Sequence, residues 1–256
     1  MTPEAGAGVL GHPRVHLRQT DSTNERARAL AVAGAPHGTL VTAGEQTAGR
    51  GRQGRAWWAP PGSSLLCSLV LRDPPPLLSL IAGVAVCDAI GERARVKWPN
   101  DVVIEMPSAA TRRDPQARPA LAKLAGILVE GRPQERWAVL GVGLNVGVRP
   151  EDLPVELRER AVSLELPASA IEPILERLIQ ALERRLGEPA ERALEAWRER
   201  DALFGREVSW GAQDPRAPLA HGQAQGIDDA GRLIVRLEDG ATEALDAGEV
   251  HLGQAC

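Results

Sequence analysis

The sequence is short of cysteine, of lysine and of long apolar runs, and each shortage excludes something. Cys67, Cys87 and Cys256 are odd in number and far apart, with no C-x-x-C among them. Neither a disulfide framework nor a zinc site fits such a set, and a reducing, cytoplasmic setting is expected. The longest largely apolar stretch, Leu77 to Cys87, falls well short of the about 20 residues that cross a bilayer. The opening MTPEAGAGVLGHPRVH lacks the basic start and apolar stretch of a signal peptide, so no membrane partner is expected. There is no excess of positive charge either. A net charge of −4 argues against a protein that coats nucleic acid. The 256 residues leave room for one large domain, or for one of about 150 to 200 residues with a small companion.

Of the 30 basic residues only Lys97 and Lys123 are lysines, and the asparagines are three, Asn24, Asn100 and Asn145. A chain that otherwise writes arginine for every cation has kept a compact ammonium at two places, by need or by chance. Residues 49 to 54, GRGRQG, match the dinucleotide fingerprint G-x-G-x-x-G letter for letter. That fingerprint requires a helix to follow, and Pro60 and Pro61 forbid one. What remains is a glycine-spaced loop, expected to be mobile, carrying Arg50, Arg52 and Arg55 with no carboxylate among residues 46 to 72. Such a loop seeks an anion; alone, it would more often be a solvated loop.

Ser22 and Glu25 form a capping-box pattern that opens a helix, with Gly34 as its stop. Residues 38–45 and 63–72 read as strands, and LLSLIAGVAVCDAIGERA as a helix buried nearly all round. A strand pair is expected around RVKWPNDVVIE, then an exposed, disordered loop at 106–120, then strands in KLAGILVEG and RWAVLGVGLNVGV. Helices are expected at about 170–186 and 188–202, as a scaffold. From Phe204 the pattern turns to short strands, a small β-barrel of about 50 residues. Trp98 and Trp137 read as core. The five histidines are scattered without triad or metal spacing.

In order, the chain offers Ser22-Thr23-Asn24, Glu45-Gln46, GRGRQGRAWW, KWPND at 97–101, KLAGILVE at 123–130 and GVGLN at 141–145. From Ser22 to its C-terminus the chain resembles the biotin–protein ligases of the short type. The resemblance implies an α+β fold: a class II aminoacyl-tRNA synthetase-like catalytic domain (1–203), a mixed sheet with helices, and a small SH3-like β-barrel (204–256). It implies biotin activation by ATP to biotinyl-5′-AMP, then transfer to a lysine of the biotin carboxyl carrier protein of acetyl-CoA carboxylase. Carried over residue by residue, the biotin site falls on Ser22, Thr23, Asn24, Gln46, Gly49, Arg50, Gly51, Arg52, Lys123 and Gly126. The ATP site falls on Arg52, Arg55, Trp57 (or its neighbour Trp58), Lys97, Asn100, Asp101 and Asn145. Lys123 and Arg52 are the catalytic candidates. Asp101 is either a group that orients the incoming amine or a structural acceptor after Pro99. Mg²⁺ would travel with the triphosphate, and no protein ligand for it can be named. The 21 residues before Ser22 are too few for a winged helix-turn-helix, so no repressor role is expected. Monomer and homodimer stay open. The rivals are a lipoate–protein ligase or octanoyltransferase, whose R-R-x-S-G-G-G-type segment is missing, and a non-catalytic nucleotide- or RNA-binding module.

Overall fold

The computed structural model describes residues 10–107, 118–211, 219–246 and 250–252. Most of the loop expected at 106–120 lies outside them. The order is β1 (Arg14–Leu17), α1 (Thr23–Val32), β2 (Leu40–Ala43), β3 (Ser64–Arg72), α2 (Leu78–Ile90), β4 (Ala94–Lys97), β5 (Asp101–Met106), β6 (Ala120–Arg132), β7 (Trp137–Asn145), α3 (Ile171–Gly187) and α4 (Ala190–Arg198). Five strands follow: β8 (Glu207–Trp210), β9 (Ala220–Ile227), β10 (Leu233–Arg236), β11 (Thr242–Leu245) and β12 (Val250–Leu252). The first seven strands form one sheet, ordered β1-β2-β3-β7-β6-β5-β4, in which only β1 and β2 pair in parallel. It is therefore a mixed sheet.

Period-two alternation divides the sheet into two faces. Leu65, Cys67, Leu69 and Leu71 of β3 enter the large core with α2, while Val70 joins Ala27 and Ala31 of α1 on the opposite side. Helix α2 is apolar on every side because it is buried on every side, between the sheet and the pair α3 and α4. Trp98 and Trp137 are core residues, as the sequence predicts.

Helix α1 departs from its expected start. Ser22 occupies the N-cap position in extended conformation, but its side chain makes no capping bond. Glu25, the other half of the predicted box, pairs with Arg50 instead. A full opposite charge is the stronger partner for a carboxylate than a backbone amide. The stop is as predicted, with Gly34 in the left-handed region at φ 88° just beyond the helix.

The C-terminal strands make an antiparallel sheet ordered β11-β10-β9-β8-β12. Its Val208, Leu233 and Val235 belong to the same apolar cluster as α2. Trp98 Nε1 donates to Gly231 O at 3.0 Å, and Arg206 donates to Pro119 O at 2.7 Å and to Glu105 at 2.9 Å. Gly231 has φ +75°, and a Cβ there would meet Leu77 Cδ2 at 2.6 Å. The turn between β9 and β10 is thus seated directly on α2 and on the KWPND segment.

Candidate active site

On β7, alternation places Gly141, Gly143 and Asn145 in series with Trp137 and Val139, on the face that carries α1. Gly126 of β6 pairs directly with Gly143. Three glycines leave this part of the sheet bare, and a cavity of about 660 Å³ opens over it. The bare backbone is in use: a Cβ on Gly141 would lie 2.0 Å from Asn24 Oδ1, and one on Gly143 2.6 Å from Trp57 Cε2. Cys67 borders the cavity, but its side chain belongs to the core on the α2 face, where burial pushes the thiol up to about 12, so it is not a nucleophile for this site.

One end of the cavity is a polar cluster at the start of α1. Gln46 Oε1 accepts from the Thr23 backbone N–H at 2.7 Å and from Thr23 Oγ1 at 3.0 Å, which fixes which end of the amide is oxygen. Asn24 Nδ2 donates to Glu130 at 2.8 Å, and Ser68 Oγ stands 2.7 Å from Asn24 Oδ1. Ser22, Thr23 and Asn24 are all buried. The donor half of Gln46 is left to approach Gly49, whose missing Cβ would be 2.9 Å from Nε2.

The other end is cationic. Lys123 and Gly126 are three positions apart on β6 and would point to opposite faces of a regular strand. A bulge in the β5–β6 register, where Val102 faces Ala125 but Val103 faces Lys123, turns Lys123 to the same side. Its ammonium lies 3.2 Å from the Cβ position of Gly126, 2.6 Å from Asp101 Oδ1 and 5.7 Å from the centre of the Trp57 ring. Asn100 binds β6 through Ile127 in both directions, at 2.8 and 2.9 Å, and accepts from Arg52 at 3.2 Å. Asn145 donates to Val162 O at 3.0 Å, tying β7 to the segment beside Lys123. Among the described residues lining the cavity, six side chains are basic, Arg50, Arg52, Arg55, Lys97, Lys123 and Arg160, and one, Asp101, is acidic. In a chain of net charge −4 this is a site built for anions.

All the predicted site residues line this cavity except Gly49, which lies in the adjoining arginine hairpin. That hairpin is closed on itself: Gly51 N donates to Arg55 O at 2.7 Å and Trp57 N to Gly49 O at 2.9 Å. For Arg50, the anion that the loop lacks is Glu25, which is distant in sequence and adjacent in space. Sequence reading also passed over Ser68, Glu130, Arg160 and His251. Glu130 closes the quoted KLAGILVE run, but Ser68 and Arg160 carry no local signal. His251 reaches the cavity only because the C-terminal sheet folds back onto it.

Residues 16–146 match the model of the biotin/lipoate A/B protein ligase family, and residues 204–253 that of the biotin protein ligase C-terminal domain. The biotin–[acetyl-CoA-carboxylase] ligase of Mycobacterium tuberculosis is 36% identical over 96% of this chain and 92% of its own. The bifunctional ligase/repressor BirA of Bacillus subtilis is 32% identical over 96% of this chain and 75% of its own. Among solved structures, the biotin protein ligase from Aquifex aeolicus in complex with biotin and ATP superposes with a TM-score of 0.72 at 24% identity, over 94% of this chain and 99% of that one. At that identity the likeness speaks for the fold.

Proposed function

The chain belongs to the biotin/lipoate A/B protein ligase family, and we propose that it activates biotin with ATP and passes it to a lysine of a carrier protein. The observation that carries this reading is one cavity lined both by a neutral polar cluster, Thr23, Asn24 and Gln46, and by six basic side chains, Lys123 among them. Biotin fits this lining: its cyclic urea offers N–H donors and a carbonyl to Thr23 and Gln46, and its valerate carboxylate points toward Lys123. The triphosphate of ATP takes the cationic end, where Arg52, Arg55 and Lys97 gather.

In the first half-reaction a carboxylate oxygen of biotin attacks the α-phosphorus, the bond to the β-phosphate oxygen breaks, and biotinyl-5′-AMP and pyrophosphate form. In the second, the lysine amine of the carrier attacks the acyl carbon, AMP leaves, and the amine gives up a proton. Asp101, held beside Lys123 and the one carboxylate among the described lining residues, is assigned as the acceptor. No enzyme nucleophile is needed. Placing two reactants side by side can supply on the order of 7 to 11 kcal/mol. Each charge-assisted bond to phosphate adds roughly 1.5 to 3 kcal/mol. Lys123 removes the repulsion between carboxylate and phosphate that otherwise keeps them apart.

The donor set fits a magnesium ion brought in on ATP. Asp101, the one carboxylate among the described lining residues, is already paired with Lys123, so phosphate oxygens and water would hold the ion. Trp57, whose indole covers the bare floor at Gly126 and Gly143, is assigned to the adenine. Residues 1–203 form the catalytic domain in this reading, and 204–256 an SH3-like barrel. The match to a C-terminal domain particular to biotin protein ligases favours biotin over lipoate.

The expected carrier is the biotin carboxyl carrier protein of acetyl-CoA carboxylase. Incubation with biotin, ATP, Mg²⁺ and its apo carrier domain, followed by intact mass measurement, should show one biotinyl group on lysine and AMP as the nucleotide product. Formation of ADP, or modification only when lipoate replaces biotin, would overturn the assignment.

A further inference from the structure

Asn24, Ser68, Thr23 and Gln46 form a chain of three oxygen-to-oxygen contacts, at 2.7, 2.8 and 3.0 Å. Both ends of the chain are acceptors. Gln46 Oε1 is held toward Thr23 by the backbone N–H it accepts. Asn24 Oδ1 is held toward Ser68 because Asn24 Nδ2 donates to Glu130 at 2.8 Å and, at the longer distance of 3.4 Å, to Leu128 O, and neither a carboxylate nor a carbonyl can donate. Ser68 and Thr23 bring one hydroxyl hydrogen each, two for three contacts. One contact is therefore a hydrogen short, and Ser68 is fully buried. Buried oxygens facing each other without a hydrogen are costly, so the chain is poised to accept a donor from outside. Thr23 is the hydroxyl that lines the cavity, and an N–H arriving at its Oγ1 meets the surplus lone pair.

We infer that Glu130 is a positioning residue that keeps Thr23 an acceptor for an N–H of the bound ring. The inference rests on the biotin reading, in which the cyclic urea supplies that N–H. Without the carboxylate only the long bond to Leu128 O holds the Asn24 amide, which can then turn over and give its own hydrogen to Ser68. Ser68 then donates to Thr23 and Thr23 to Gln46, and the chain satisfies itself without ligand. Glu130 is half-buried at the far side of Asn24, outside the main cavity and beside the arginine hairpin, so it does not itself touch the ring, and the Thr23→Val background below separates its effect on hydrogen-bond direction from any effect on the neighbouring arginines.

The isosteric change Glu130→Gln separates this role from a merely structural one. A glutamine fills the same space but can donate to Asn24 Oδ1 and so allows the turned-over amide. Titration calorimetry with biotin, in the absence of ATP, should show affinity weakened about tenfold, roughly the worth of one hydrogen bond. Affinity for ATP alone and the thermal melt should be unchanged, and Glu130→Ala should lose as much as Glu130→Gln. In a Thr23→Val background, which has no hydroxyl to orient, Glu130→Gln should bring no further loss. Unaltered biotin affinity in Glu130→Gln, or losses that simply multiply in the double variant, would overturn the inference while leaving the biotin reading intact. Failure of the unsubstituted chain to bind biotin would overturn both.

Discussion

Lys123 is one of only two lysines in the chain, and it stands at the one place in β6 where a bulge aims it across the bare glycine floor. Its side chain is 38% exposed, so neither burial nor packing explains why arginine was not used there. An ammonium between two converging anions does explain it, because a planar guanidinium cannot occupy the same point. Lys123→Arg should therefore fold normally, with stability changed by less than about 0.5 kcal/mol. Biotinyl-adenylate should form at least about a hundredfold more slowly, the cost of a displacement near 1 Å. Single-turnover adenylate formation beside a thermal melt measures both, and a wild-type rate would remove Lys123 from the catalytic step. At this scale the sequence was legible where residue types were rare or motifs dense: Lys97, Lys123, Asn100 and Asn145 could all be singled out. Ser68 and Arg160 could not. A serine in an apolar strand and an arginine in an arginine-rich chain differ from their neighbours only by what they touch. Glu25 reads locally as half of a helix cap, and nothing local says that Arg50 would reach it.

Asp201 sits where α4 gives way to the C-terminal sheet, paired through its backbone with Val96 of β4. Its Oδ1 accepts from Leu203 N at 2.8 Å, while Oδ2 is buried without a hydrogen-bond partner. Burial pushes this carboxyl up to about 6. Between the ordinary carboxylate range near 4 and about 6, the folded chain then holds a proton that the unfolded chain has released. Stability from this group is accordingly present at low pH and lost as pH rises through that window. Asp201→Asn keeps the acceptor for Leu203 and cannot ionise. It should raise the melting temperature at pH 8 by about 5 °C, at about 2–4 °C per kcal/mol for a chain of this size, and leave it nearly unchanged at pH 4. A difference independent of pH would show that the carboxyl is not the cause. Among the elements, the long strands and α2 were legible because their apolar periods are strong: β3, β7 and α2 fall where the sequence predicts them. The β6 bulge was not, since KLAGILVE reads as an unbroken strand and the irregularity exists only in its pairing with β5.

At the scale of the whole molecule, one cavity is assembled from pieces spread along most of the chain. The start of α1 brings Thr23, the arginine hairpin Arg52, the turn between β4 and β5 Asn100, the bulged β6 Lys123, and β12 the neighbourhood of His251. The turn at Gly231 braces Trp98 and so couples the C-terminal sheet to the KWPND segment. No helix of the described residues is long and apolar enough to cross a membrane. A change of composition at Phe204 marked the C-terminal strands in the sequence, but nothing there told that they would share a core with α2 and close over the site. The central claim is that this cavity joins the carboxylate of biotin to the α-phosphate of ATP before any carrier arrives. Exchange of labelled pyrophosphate into ATP by the chain alone tests it most directly. The account predicts rapid exchange that depends on biotin, with no carrier present. Exchange that proceeds equally without biotin, appears only with lipoate, or does not occur at all would contradict it.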